Sequence, residues 1–251
     1  MSGPPVLPAP DSFRAAGTLH RRAGAPVRQP FVARLLDPAT LAAVRHIHRT
    51  VLRLVPEPGI VRADPDAFFA HHFAGEGRIL GVFVADRLIA YAVLGLPATA
   101  DYPYDRFGDD LDLPAAERWR IAQLIGVGVL PEWRGNGLHR QLCEWRMELA
   151  RAAHRPHVAA VASPRNPHSW RNLLAVGLRI KRLKLLGGDK LRFLLHADLR
   201  GSPSPDPTGA VAVPAGAVAE QRALLERGFW GYAFIAGAGD DRIEYARPLG
   251  T

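Results

Sequence analysis

The sequence predicts a mixed α/β domain: a central sheet of about seven strands flanked by helices, with a C-terminal extension. Three observations predict it. The stretches RIAQLIGVGVL (120–130) and HVAAVAS (157–163) are nearly all apolar, the pattern of strands buried on both faces. Between them Leu138, Leu142, Trp145 and Leu149 recur at helical spacing and define one buried face. LRIKRLKLL and KLRFLLHADL, joined by Gly187-Gly188-Asp189, read as a hairpin.

At 251 residues the chain suits one large domain, or one domain with appendages, and can bury a sizeable core. Its 48% hydrophobic and 22% charged residues are ordinary for a soluble globular protein. No apolar run approaches the roughly 18–20 residues of a membrane-spanning helix, and the N-terminus lacks the apolar stretch of a secretory signal. A cytoplasmic protein with no membrane partner is therefore expected. Cys143 is the only cysteine, which argues against a disulfide framework or a zinc cluster, and no metal is expected. The net charge of +8 is concentrated. Residues 1–30 carry +3, from Arg14, Arg21, Arg22 and Arg28 against Asp11, and residues 179–192 carry +5. The remainder balances to zero, and clustered cations suggest an anionic partner.

Residues 1–30, rich in Pro, Gly and Ala without a lasting period, read as a disordered tail, with an organellar transit peptide as the alternative. Order is expected from Phe31, with the main domain over 31–200. FVARLL reads as a strand, and Asp37-Pro38 as an N-cap and first helical position before a long helix. A second helix is expected from Asp64-Pro65 to His72. RILGVFVAD and RLIAYAVLGL read as strands joined by a tight turn at Asp86-Arg87. The long connection Pro97 to Arg118 interleaves six acids with Tyr102, Tyr104 and Phe107, and loops of this length commonly carry function. Asn166 to Val176 reads as a helix closed by Gly177. A Pro/Ser linker at 201–208 leads to the extension 209–251, a helix around Ala217 to Arg227 and two strands packed on the core.

The stretch LPEWRGNGLHRQL, Leu130 to Leu142, joins a buried strand to an amphipathic helix. The first turn of a helix leaves unpaired N–H donors and partial positive charge. Gly135 and Gly137 would let the backbone come close to a bulky anion, and Arg134 adds a cation. A glycine pair at such a junction also serves simply as a turn.

This stretch resembles the acyl-CoA-binding motif of the GNAT superfamily of N-acyltransferases, an Arg/Gln-x-x-Gly-x-Gly/Ala pattern after the fourth strand. Arg134 and Gly137 fit it, and His139 stands where Gly or Ala is usual. The segment NPHSWRNLLAVGL is similar to the family's second motif: Asn166, Ser169 and Gly177 fit, and Leu178 replaces Phe. The resemblance implies a GNAT-like sheet splayed between its fourth and fifth strands, with pantetheine lying there on the backbone of Gly126 to Val129, Val127 and Val129 included. It implies that the N–H groups of Arg134, Gly135, Asn136, Gly137 and Leu138 hold the pyrophosphate of acyl-CoA. The thioester would end near Asn166 and Ser169, where an amine attacks it directly. His139 would lie beside the pyrophosphate or the 3′-phosphate, or be a surface side chain whose backbone alone matters.

The sequence departs from the family in its usual catalysts. Ile121 to Leu130 contains no Asp, Glu or His for a general base, and Leu173 stands where a tyrosine acid is usual. Ser169 and Glu117 are the substitutes, acting through water, or the amine arrives deprotonated. The connection 97–118 is the expected acceptor wall, with Asp109, Asp110 and Tyr104 attracting a cationic amine, and the alternative is a solvated loop whose Asp residues cap turns. His46 with His48, and His71 with His72, diverge on their helices and read as surface histidines. Cys143 reads as a small buried residue.

Three functions compete. The first is an N-acyltransferase using acyl-CoA, acetyl-CoA above all, and a small-molecule amine. The second keeps the fold but takes an aminoacyl-tRNA or an acyl carrier protein as donor, bound by the strip Lys181, Arg182 and Lys184. Strand alternation splits that strip, so a bulge is needed to unite it. The third is a non-catalytic acyl-CoA sensor. The first is the reading adopted, and the oligomeric state stays open.

Overall fold

The computed structural model describes residues 12–22, 27–98, 102–104, 107–237 and 241–249. In chain order the elements begin with β1 (Arg14–Arg21), β2 (Val27–Leu35), α1 (Leu41–Arg53), α2 (Asp66–Phe73), β3 (Gly77–Val84), β4 (Arg87–Gly95), α3 (Phe107–Asp110) and β5 (Ile121–Val129). They continue with α4 (Leu138–Ala152), β6 (His157–Ala162), α5 (Pro167–Ala175), β7 (Arg179–Leu186), β8 (Lys190–Asp198), β9 (Val211–Pro214), α6 (Val218–Glu226), β10 (Trp230–Ile235) and β11 (Arg242–Ala246). The chain divides into two compact units, Met1–Asp105 with Ala122–Arg155 and Arg106–Ile121 with Pro156–Thr251.

In the first unit β1 to β5 pair antiparallel in sequence order. α1 and α4 pack on β4, and α2 on β3 and β4. β4 is buried from Leu88 to Gly95, as its unbroken apolar run predicts. The Asp37 side chain accepts from Ala39 N–H at 2.9 Å and Pro38 opens a 3₁₀ turn, so the cap-and-proline signal is used one turn ahead of α1. The turn expected at Asp86-Arg87 falls at Ala85-Asp86, with Ala85 at φ +50°.

One irregularity organises this unit. Val93 pairs Ile125 and Ala92 pairs Val127, so Gly126 is an inserted bulge residue on β5, and its φ of +56° suits glycine. Behind the bulge lies Arg146 of α4, 1% exposed. Its guanidinium donates to Val93 O (2.9 Å), Ile125 O (3.4 Å) and Leu142 O (3.0 Å), and its Nη2 reaches Cys143 Sγ at 3.4 Å. Cys143 is buried as expected.

In the second unit the strand order is β6-β8-β7-β10-β11-β9, and neighbouring strands pair antiparallel. α5 packs against β6, β7 and β10, and α6 against β7 and β10. Residues 107–121 lie on the sheet face that carries Ala159 and Leu194, sealing it with Phe107, Leu113 and Ile121. Gly187 and Gly188, at φ +58° and +94°, make the expected β7–β8 turn.

The mixed α/β class stands, but the described residues form eleven strands in place of about seven. The disordered tail expected over residues 1–30 is corrected where it is described: 14–21 and 27–35 form a hairpin. RAAGTLHR escaped notice because only Leu19 is buried in it. Backbone pairing, not an apolar face, makes that strand. The Pro/Ser linker is likewise tied down, with Pro205 bridging Pro248, Asp206 N–H donating to Arg247 O at 2.7 Å, and a 3₁₀ turn at Pro207–Gly209. The extension contributes β9 besides the expected α6, β10 and β11.

Removing the Arg146 guanidinium leaves buried carbonyls unsatisfied. Arg146→Ala should therefore cost about 3 kcal/mol in a urea unfolding experiment. Arg140→Ala, which breaks only the exposed i,i+4 pair with Glu144, should cost about 0.5 kcal/mol. Equal costs would mean that the bulge holds its shape without Arg146.

Candidate functional site

β5 ends in a 3₁₀ turn at Pro131–Trp133, and residues 134–137 lead into α4. Gly135 and Gly137 lie at φ +79° and +72°, a region side-chain-bearing residues rarely adopt. Arg134 N–H is taken by Pro131 O at 3.1 Å, so the run of free donors starts at Gly135, one residue later than the motif implied. Among the described residues nothing accepts from the N–H groups of Gly135 to Leu138. They stand at the positive end of the fifteen-residue helix α4. Arg134 is exposed, and its Nε donates to Val129 O at 3.3 Å, which holds the side chain beside the end of β5.

Asn136 contributes its backbone only, because its amide is engaged elsewhere. His20 N–H donates to Oδ1 at 2.8 Å, and Nδ2 donates to His20 O (2.8 Å) and Trp133 O (3.0 Å). Leu138 is buried and His139 half-buried. Upstream, β5 is fully buried from Ile121 to Ile125 and then half-buried at Gly126, Val127 and Val129. The change follows the bulge, and it presents this half of the strand beside the glycine turn.

The same unit holds a buried polar chain. Gln123 of β5, fully buried, accepts from Tyr102 Oη at 3.4 Å, and Tyr102 Oη lies 3.0 Å from His72 Nε2. Burial pulls His72 down to about 4, so the neutral ring donates Nδ1–H to Phe68 O (2.6 Å), and its bare Nε2 and Gln123 Oε1 compete for the one Tyr102 hydroxyl proton. Tyr104 stacks on His72, with ring centroids 5.3 Å apart, and meets Phe68 and His71 edge-on. His72 is thus a core group and not a surface histidine. His48 is another, bonded to Tyr91 Oη (2.8 Å) and accepting from Asp64 N–H (3.0 Å).

In the second unit the acidic connection and the basic strip meet each other. Asp109 pairs with Arg118 and Asp110 with Lys184, each at 2.5 Å, and Asp112 pairs with Arg182. The required bulge exists: Ile180 pairs Leu195 and Arg182 pairs Leu194, so Lys181 is inserted and Arg179, Arg182 and Lys184 share a face. Lys181 itself lies over the Trp230 ring. Burial, aided by Arg179 and Arg182, pulls its ammonium down to about 6. The bulge thus unites Arg179 with Arg182 and Lys184 and leaves Lys181 out, while Asp112 and Asp110 pair with the last two.

Glu117 lies in a chain of hydrogen bonds that starts at the surface. Its carboxylate accepts from Arg200 at 2.8 and 3.1 Å and meets His157 Nε2 at 2.6 Å. These partners hold its carboxyl down to about 2, which makes it a weak base. His157, 3% exposed, passes the chain on to His196 Nε2 at 3.1 Å. Asn166 Oδ1 accepts from Ser169 N–H at 3.3 Å and caps α5, whose end is closed by Gly177 at φ +96°. Ser169 is half-buried in the first turn of that helix.

Arg146, His20, His157 and His196 were not singled out from sequence, and Arg22 was counted only as a charge. Arg146 had a signal: it falls on the stripe Leu142, Arg146, Leu149, where a charge on an apolar face needs a partner. The others join residues distant in sequence and left none.

No family model and no curated protein matches the sequence. Solved structures do. A protein assigned as an acetyltransferase from Salmonella typhimurium, solved with its cofactor acetyl-CoA, is 18% identical over 70% of this chain and 98% of its own, with a TM-score of 0.50. A protein assigned as arylalkylamine N-acetyltransferase 7 from the yellow fever mosquito is 13% identical over 76% of this chain and 97% of its own, at 0.54. An acetyltransferase of the GNAT family from Streptococcus pneumoniae is 16% identical over 67% and 99%, at 0.47. The first two show that the chain has the acetyltransferase fold that its two motifs predict.

The depressed Glu117 carboxyl has a stability consequence. Its ordinary value of 4.5 falls to about 2 in the folded chain, so the unfolded chain binds the proton more tightly. The stabilisation is complete above about pH 5 and is lost as pH falls toward 2. Glu117→Gln should flatten the dependence of unfolding free energy on pH across that window. An unchanged slope would place the acid sensitivity in other carboxylates.

Proposed function

We propose that this protein is a GNAT-type N-acyltransferase that moves an acyl group, acetyl in the simplest case, from acyl-CoA to the primary amine of a small molecule. The observation that carries the reading is the β5–α4 junction. Unpartnered N–H donors over Gly135 to Leu138, two left-handed glycines and Arg134 lie next to a bulged strand within an acetyltransferase fold. Backbone donors at a helix start, with a cation beside them, suit a pyrophosphate. Val127 and Val129 then offer their strand to pantetheine. The amine nitrogen attacks the thioester carbon, the C–S bond breaks, and the amine proton leaves with the CoA thiolate.

The parts also favour one kind of acceptor. Asp109 and Asp110 each hold a cation of the chain itself, which weakens their pull on a polycationic amine. Tyr104 and His71, half-buried over the core rings of Phe68 and His72, suit an amine with an apolar body. An arylalkylamine is one such class, the one named for the mosquito protein. A tRNA or carrier-protein donor loses support because Lys184 and Arg182 are paired and Lys181 is held near neutrality. A non-catalytic sensor remains the second reading, favoured by the absence of Asp, Glu and His from Ile121 to Leu130 and by buried Leu173 in place of tyrosine.

Calorimetric titration of acetyl-CoA into the wild type and into Arg134→Glu tests the reading. Micromolar binding in the wild type should weaken tenfold or more in the variant, by about 1.4 kcal/mol. No binding by folded wild type would sink the acyl-CoA reading. Binding without thiol release across a broad amine panel would turn it toward the sensor.

A further inference from the structure

The N-terminal strand β1 runs from the far edge of the first unit to the β5–α4 turn, more than a hundred residues away in sequence. Two ties fasten it there. Asn136 holds His20 through a reciprocal pair of hydrogen bonds, 2.8 Å each, and Arg22 N–H donates to Glu132 O at 2.8 Å. The Arg22 side chain then lies on Gly135. A Cβ at position 135 would overlap the guanidinium, coming within 2.6 Å of Nε. Gly135 therefore meets two demands, a positive φ and room for Arg22.

No carboxylate pairs with Arg22 among the described residues. The carboxylate of Glu132, the residue whose carbonyl accepts from Arg22 N–H, is engaged by Arg87 at 3.1 Å. A guanidinium placed over unpartnered N–H donors, at the positive end of a helix and with Arg134 exposed on the same turn, concentrates positive charge without a counter-charge. Such an arrangement is relieved by a multiply charged oxyanion. Arg is suited to this because its planar fork can give two hydrogen bonds to one phosphate.

We infer that Arg22, delivered by the N-terminal strand β1, binds a phosphate of the acyl-CoA donor. The inference rests on the acyltransferase reading for the donor itself. It assigns the cationic N-terminus, read from sequence as part of a tail, to the donor site. It also explains why Asn136 is engaged with His20: the latch places the next two residues over the turn.

The experiment titrates acetyl-CoA and 3′-dephospho-acetyl-CoA into the wild type, Arg22→Gln, Arg22→Lys and Arg14→Gln, each checked for folding by its thermal transition. Arg14, at the other end of β1 opposite Arg34, gives the same change of charge away from the turn. Arg22→Gln should weaken acetyl-CoA about tenfold, Arg22→Lys less, and Arg14→Gln within about twofold of the wild type. Equal loss for both ligands assigns Arg22 to the pyrophosphate, and loss for acetyl-CoA alone assigns it to the 3′-phosphate; either supports the inference. Unchanged or tighter binding by Arg22→Gln overturns it while leaving the donor reading intact. Failure of the wild type to bind either ligand overturns both.

Discussion

A guanidinium with a carbonyl cage in place of a carboxylate holds the first unit in its working shape. Burying an uncompensated cation costs several kcal/mol, and Arg146 is tolerable only because carbonyls from β4, β5 and its own helix surround it. Those carbonyls exist as acceptors because Gly126 interrupts the β4–β5 register. Each feature therefore stabilises the other. The bulge presents Val93 O and Ile125 O to α4, and Arg146 satisfies them. The consequence reaches the proposed donor site, since the bulge marks where β5 passes from full burial to the half-exposed stretch ending at the glycine turn. It also fixes α4 against β4, and α4 is the helix whose first turn supplies the N–H donors.

The second unit shows a different economy of charge. Six acids in one connection and a basic strip in one hairpin look like two recognition surfaces when read along the chain. Folded, Asp110 and Asp112 meet Lys184 and Arg182, while Phe107 and Leu113 enter the apolar cluster beneath. Exposed ion pairs contribute little individually. Their effect here is to orient α3 and the residues that follow it, whose Phe107 and Leu113 supply the burial. Among the described residues Arg22 and Arg134 have no such carboxylate partner.

The legible part of this protein was the part written in local pattern. The buried strands, the α4 stripe of Leu138, Leu142, Trp145 and Leu149, the hairpin turn at 187–189 and the Asn166 cap all follow from periods and turn chemistry within a few residues. The glycine turn was visible for the same reason. What escaped depends on partners far apart in sequence. β1 has only one buried side chain and is made by pairing to β2 and by the Asn136 latch. Glu117 looked like a spare base until Arg200, 83 residues away, was placed against it. The bulge at Lys181 was a stated requirement for uniting the strip, and it is present, yet the ion pairs that cancel the strip could not be read from either segment alone.

On the acyltransferase reading, the missing catalysts constrain the chemistry more than they forbid it. Proton transfer by a positioned group is worth about 10²–10⁴-fold, whereas holding two reactants in attack geometry reaches effective molarities of about 10⁵–10⁸ M. With no acid or base on β5, Glu117 already bound to Arg200 and His157, and Leu173 in place of tyrosine, the reaction must draw on the second term. The burden then passes to the acceptor, which has to present a neutral nitrogen. Amines of lowered basicity, or ones stripped of water by an apolar wall such as that around Tyr104, meet this condition. The same reasoning ties rate to pH through the acceptor and not through the protein: activity should rise with pH toward the pKa of whichever amine is offered, and the midpoint should move when the amine is changed. A midpoint that stayed fixed across amines of different pKa would instead mark a titrating group in the protein.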